Sequence, residues 1–302
     1  SFRFVNKGRR TTNATDMLIV EAYRNLLETS ASIAKRFHMS DTYVHEIFDR
    51  YVKLDRLPLT DAISIDEVHL DMDDDCKYAL VIQDFHTGDP IDLLRSRRTS
   101  VTEPYFVSIP ATERNQVKYL ISDMYNPYIA YVEKYFPNAV PVVDSFHVIQ
   151  WITRSIDNYI RQLLKKYRQR DREYQDKLSY EQQRPVSLPP SDEVYLLQKY
   201  RWLILSNQSN IRYHSDPRMD SHFHVLMNTY DYEDALFRID PNLKDFRDLK
   251  EMYVQFNLRN GGNPLLARNE LKELIQTYKS SQFEIFRDFA SLLKKFEDPI
   301  VN

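Results

Sequence analysis

The chain has 302 residues, 42% hydrophobic and 13% aromatic, enough to bury sizeable cores rather than stay disordered. Its 4 glycines argue against glycine-rich nucleotide loops and an all-β fold of tight turns, and its single cysteine, Cys76, excludes a disulfide framework and a thiolate zinc site. No apolar run approaches the ~18 residues of a membrane span, no signal-peptide pattern is visible, and a net charge of −3 advertises no nucleic-acid surface, so the expectation is a helix-rich cytoplasmic protein of about two domains.

The charge is unevenly distributed. Residues 1–56 hold 10 Lys/Arg against 7 Asp/Glu, and Arg3, Lys7, Arg9 and Arg10 lie in the first ten positions. Met17, Leu18, Val20, Tyr23, Leu26 and Leu27 recur at helical spacing, which predicts a helix over 14–28. Ser30 or Ser32 can cap a short second helix through Phe37, His38-Met39-Ser40 makes a turn, and Ser40 or Asp41 can cap a third helix with Tyr43, Val44, Ile47, Phe48 and Tyr51 on one face. Two short helices joined by such a turn form the helix-turn-helix pattern. In that motif the second helix enters the major groove. Thr42 and His45 would then meet base edges, and Arg9, Arg10, Arg50 and Lys53 would meet phosphates; a three-helix bundle with a solvated basic leader is the plainer alternative. Leu54-Asp55-Arg56-Leu57-Pro58 reads as a linker, closing a unit over 1–57.

From Asp61 the period becomes extended. Strands are predicted at 62–70, 78–85 and 91–95. Asp71, Asp73 and Asp75 imitate the first ligands of a calcium loop, but Cys76 stands where Gly is required and Ile82 where Glu is required, so a hairpin turn is expected. A helical or irregular stretch at 103–115 leads to a strand at 117–122, a helix at 127–136, a strand at 139–143 and a long helix from Asp144 or Ser145. Three antiparallel strands followed by two helix-linked strands is the order of a ribonuclease-H-like mixed sheet. A catalytic α/β domain over 60–167 follows, in which Asp66 and Asp123 end neighbouring strands.

Asp66, Asp123 and Asp144 each close an apolar run. Phosphodiester cleavage or strand transfer puts charge on attacking and leaving oxygens together, and two magnesium (or manganese) ions about 4 Å apart can stabilise both. Hard ions of this kind prefer carboxylate oxygens. Asp66 is the candidate to bridge both ions and Asp123 to hold one. Asp123 and Asp144 also suit helix caps, and Glu67, one position on, faces the opposite side of its strand.

The motifs Ser64-Ile65-Asp66-Glu67, Ile121-Ser122-Asp123-Met124-Tyr125 with Pro127-Tyr128, Phe136-Pro137-Asn138-Ala139 and Val143-Asp144-Ser145-Phe146-His147 occur in this order. Together with the N-terminal segment they resemble the bacterial insertion-sequence transposases of the IS-L-three family, a group of Asp-Asp-Glu transposases. The resemblance implies cutting and joining of double-stranded DNA at terminal inverted repeats, a nucleoid-associated enzyme, and a homodimer or larger assembly when complete. It implies catalytic roles for Asp66 and Asp123, with Asp123 ranked before Asp144 because it closes the fourth strand. Asp144-x-x-His147 is similar to a signature after the fifth strand in related transposases and stays in the site. The family's cysteine-rich leader has no counterpart here, and Arg259-Asn260-Gly261-Gly262-Asn263 offers no Glu for the third acid; the expectation is a chain clipped at both ends and incompetent for chemistry.

Residues 145–183 read as one long helix or two carrying Arg154, Arg161, Lys165, Lys166, Arg168, Arg170 and Arg172, a possible DNA-facing stripe until acids interleave after Asp171. Beyond a proline-rich break, helical patterns at 195–205, 219–237, 243–256, 264–277 and 282–296 predict an all-helical insertion over 168–302. Trp202 and Phe256 read as core residues. Two other functions fit the same elements: a helix-turn-helix regulator with a non-catalytic α/β domain, and a ribonuclease-H-like nuclease.

Overall fold

The computed structural model describes residues 5, 11–25, 27–53, 55–73, 76–260 and 262–302, which form two compact units, Ser1–Leu57 and Pro58–Asn302. Arg9 and Arg10 lie outside the described residues.

The first unit has three helices, α1 (Asn13–Ala22), α2 (Ser30–Phe37) and α3 (Asp41–Tyr51). Ile19, Ala22, Ile33, Ala34, Val44 and Ile47 form its core. The first helix stops at Ala22, short of the expected 28, because Leu27 has no core to enter and is 92% exposed. The cap of α2 is Thr29, in a reciprocal capping box with Ser32. His38 takes a left-handed conformation (φ 55°) that ends α2, and Ser40 caps α3 by accepting the Tyr43 N–H. Asp16 is fully buried; it accepts hydrogen bonds from the Thr11 and Tyr51 hydroxyls, which tie the start of α1 to the end of α3.

The second unit opens with a five-stranded mixed sheet. Its strands are β1 (Ala62–Asp73), β2 (Cys76–Asp84), β3 (Pro90–Leu94), β4 (Tyr119–Ser122) and β5 (Val140–Val143), in the order β3-β2-β1-β4-β5. β1 pairs antiparallel with β2 and parallel with β4, and β4 pairs parallel with β5. This is the expected order and is consistent with a ribonuclease-H-like sheet. Two helices, α4 (Thr99–Ser108) and α5 (Ala111–Arg114), lead into β4, and α6 (Asn126–Tyr135) links β4 to β5. Ile63, Ile65, Leu80, Ile82 and Leu120 meet Phe106, Tyr128, Tyr131 and Tyr135 of α4 and α6 in one core.

Asp144 caps α7 (Ser145–Gln182), a single helix of 38 residues. Its buried residues, Val148, Ile152, Ile156, Ile160 and Leu164, recur every fourth position and so form one apolar face. That face is covered by α8 (Asp192–Lys199), α9 (Trp202–Leu205), α11 (Asn242–Arg259) and α13 (Glu284–Lys295), and α10 (Thr229–Ile239), α12 (Pro264–Lys279) and α14 (Glu297–Val301) pack against these in the same core. The domain boundary expected at 167/168 therefore falls inside α7. Trp202 is 42% exposed whereas Phe256 is buried, so of these two only Phe256 is a core residue. Fully buried Lys250 donates to the carbonyls of Ile204, Leu205 and Ser206 and closes the C-terminal end of α9.

Residues 168–302 are not all helical. The helix expected over 219–237 begins only at Thr229, and Arg218–Met219 and Leu226–Met227 form a short antiparallel ribbon, β6 and β7. The cause is Asp220, which is 4% exposed. It accepts the backbone N–H groups of His222 and Phe223, and the hydroxyls of Tyr195 and Tyr232 at 2.7 Å each and of Tyr200 at 3.4 Å. A carboxylate satisfied by local backbone donors stabilises a turn over a helix.

Burial alone would raise the pKa of Asp220, but those N–H and hydroxyl donors outweigh it and hold the carboxyl below its ordinary range. The stability it contributes is therefore present above the ordinary aspartate pKa and lost as pH falls through the depressed value. Asp220→Asn is expected to destabilise the unit by about 2–3 kcal/mol at pH 7 and to flatten the acid limb of the stability profile; an unchanged urea midpoint at neutral pH would refute this account.

Candidate active site

The parallel register builds the site. Ile65 of β1 lies opposite Ser122 of β4, and Ser122 lies opposite Val143 of β5. The next residue on each chain is Asp66, Asp123 and Asp144, so three carboxylates leave the sheet at one level. The Asp144 N–H donates to the Ser122 carbonyl at 2.8 Å and extends the pairing by one position. One oxygen of each acid is oriented by a nearby backbone donor: Asp66 by the N–H of Glu67 (2.7 Å), Asp123 by that of Tyr125 (3.1 Å) and Asp144 by that of Phe146 (2.9 Å).

His147, in the first turn of α7, joins the acids. Its Nε2 is 3.9 Å from Asp66 Oδ1 and 3.9 Å from Asp144 Oδ2. The side chain is 22% exposed, against 59% for Asp66 and 42% for Asp144. Ser64, Asp66, Gln83, Ser122, Asp144 and His147 line a cleft of about 230 Å³. His147 also lines a second cleft of about 460 Å³ with Asp123, Gln150, Trp151, Arg154 and Asn158. Among the described residues no three His, Cys, Asp or Glu side chains are grouped closely enough to hold a metal ion as they stand. As a donor set, three carboxylates at one level of the sheet still match a hard divalent cation, which takes oxygen ligands and neutralises their mutual repulsion.

The opposite face of β1 carries a network that the sequence did not disclose. Glu67 takes both its oxygens to the Arg97 guanidinium at 2.7 and 2.8 Å and accepts the Tyr128 hydroxyl at 2.6 Å. Arg97 also lies over the rings of Tyr78 and Tyr125, 5.3 Å from each centroid. Glu67 is thus structural and faces away from Asp66, as strand alternation requires. No local spacing signals this network, because Arg97 is 30 positions from Glu67 and Tyr128 is 61.

In the first unit Thr42, His45 and Arg50 are exposed on α3, alongside the acids Asp41, Glu46 and Asp49, and Lys53 is exposed two residues beyond its end. His45 Nε2 is 3.8 Å from Asp41 Oδ1.

Burial raises the pKa of Asp123; nearby His147 and the Tyr125 N–H oppose the rise, while Glu67 and Asp66 add to it. A carboxyl with a raised folded pKa contributes stability below its ordinary value and loses it as pH rises through the raised one. In metal-free buffer, Asp123→Asn is accordingly expected to melt at or above the wild-type temperature at pH 7, the difference closing below the ordinary aspartate range. A variant that melts lower at pH 7 would show that the ionised carboxylate stabilises the fold.

Residues 63–302 match the model of a family described as transposases, of the Asp-Asp-Glu, IS-L-three type. No curated protein matches the chain. No helix among the described residues is long and apolar enough to cross a membrane. The family match runs from the first strand, through Asp66, Asp123 and Asp144, to the last residue, and the chain belongs to the IS-L-three family of transposases.

Proposed function

We propose that this chain is the part of a transposase that binds transposon-end DNA and supplies carboxylates for metal-dependent cleavage and strand transfer at terminal inverted repeats. The observation that supports this most is the common level of Asp66, Asp123 and Asp144, each one residue past the parallel pairing of β1, β4 and β5, with His147 within 3.9 Å of two of them. Asp66, on the central strand, would bridge two magnesium or manganese ions, and Asp123 would hold one of them. Such ions supply positive charge to the attacking and leaving oxygens of an in-line displacement and lower the pKa of the nucleophile. Asp144 anchors the start of α7, and through it His147, beside the carboxylates. The His147 imidazole Nε2, 3.9 Å from both Asp66 and Asp144, would serve as a proton carrier at the cleft. Residues 60–167 would supply this chemistry, with 168–302 as an insertion.

The first unit would serve as the helix-turn-helix module. The turn His38-Met39-Ser40 and the capped start of α3 leave Thr42 and His45 exposed for base edges and Arg50 and Lys53 for phosphates. Three exposed acids on α3 would keep its non-specific attraction to DNA weak, so recognition would depend on fit.

Replacing Asp66 with Asn separates chemistry from DNA binding. Manganese affinity, measured by calorimetry, is expected to fall about tenfold or more, since even outer-shell changes around a metal cost that much, while duplex binding persists. Unchanged manganese affinity sinks the carboxylate assignment. Replacing Arg50 and Lys53 together with Gln is expected to weaken binding about equally across duplex sequences; loss confined to one sequence would place these residues at base edges.

A further inference from the structure

The exposed side of α7 carries a line of cations that the site chemistry does not use. Taking 100° per residue from His147, the positions Arg154, Asn158, Arg161, Lys165, Arg168 and Arg172 return to one side of the helix, spaced alternately by three and four residues. The buried residues Val148, Ile152, Ile156, Ile160 and Leu164 occupy the opposite side. Arg161, Lys165, Arg168 and Arg172 meet Arg201 around a groove of about 580 Å³ whose lining contains no carboxylate. The nearest acid, Asp157, is shared between Arg161 at 2.6 Å and Arg201 at 3.2 Å. Arg168 donates to Gln198. Among the described residues Lys165 and Arg172 carry no ion pair, and both are exposed. The line stops at Arg172, because the next residue in phase is Asp176.

A chain with a net charge of −3 that concentrates five cations in one groove holds them together against their own repulsion. We propose that this face of α7 is a track for the phosphate backbone of duplex DNA leading away from the carboxylate site. The inference rests on the reading of the chain as a DNA-processing enzyme and adds where the duplex lies. Dimensions support it. From Arg154 to Arg172 the helix rises ~27 Å at ~1.5 Å per residue, the length of ~8 base pairs at ~3.4 Å each. From Arg161 to Arg172 successive cations on the line rise ~5 Å along the axis, a spacing that lets neighbouring side chains reach successive phosphates of one strand. The second cleft at the site, with Asp123, His147, Arg154 and Asn158, lies at the head of the same line. A duplex cut at the carboxylates would reach Arg161 ~21 Å along α7 from His147, or ~6 base pairs from the reacting phosphate.

The test replaces Lys165 and Arg172 together with Gln in the 302-residue chain and follows affinity for a 20-base-pair duplex as salt is varied. Each phosphate contact contributes ~0.9 to the slope of log affinity against log salt, so the double variant is expected to lose ~1.8 from the wild-type slope. Lys177→Gln, off the line on the same helix and 3.9 Å from Glu181, is expected to keep it. If wild type binds and the double variant keeps the full slope, the track is wrong while the DNA reading stands. If wild type shows no duplex binding at all, the DNA reading fails and the track fails with it. An unchanged thermal melt of the double variant excludes unfolding as the cause of a shallower slope.

Discussion

The backbone hydrogen bonds that pair β1 with β4, and β4 with β5, in parallel set the level at which Asp66, Asp123 and Asp144 leave the sheet. Side chains alternate along a strand, so a one-residue slip of β4 would send Asp123 to the other face and Leu120 out of its core. The apolar demand of Ile63, Ile65, Leu80 and Leu120 thus enforces a register whose chemical result is three acids on one line. Like charges so placed repel; the raised proton affinity of Asp123 comes first from burial, with Glu67 and then Asp66 adding to it against His147. Nothing in the folding of the sheet requires the acids; the sheet supplies a position, and the acids accept an electrostatic penalty there.

Much of the α/β unit was legible in the sequence because its strands are short, apolar and separated by helices of clear period. β1, β4 and β5 fell within a few residues of their expected bounds, and the turn at 38–40 was visible from its flanking helices. The hairpin at 218–227 was not, because Met219, Phe223 and Leu226 mimic a helical period while the deciding interaction is a carboxylate reached by tyrosines from α8, α10 and the segment before α9. The end of α1 was missed for a related reason: Leu27 continues the pattern, but nothing packs against it. Periodicity reports what a segment could bury, not whether a partner exists to bury it.

The candidate site divided the same way. Asp66, Asp123 and Asp144 were singled out because each closes an apolar run, and His147 by its spacing from Asp144; the parallel register gives the three acids a shared level. The Glu67–Arg97–Tyr128 network depends on contacts 30 and 61 positions apart and left no local trace. The cations of α7 were legible as a stripe; which of them share one side with His147 followed only once the helix was known to run unbroken through 145–182.

That unbroken helix also fixes what changes its length can tolerate. Each inserted or deleted residue turns everything beyond it by about 100° and shifts it by about 1.5 Å. In α7 such a change would carry Ile160 and Leu164 out of their core and swing Arg168 and Arg172 off the line that begins at His147. Seven residues restore the phase to within about 20°. Drift in the length of α7 is therefore quantised: the core on one side and the charged line on the other are read from the same phase, and neither can be retuned alone.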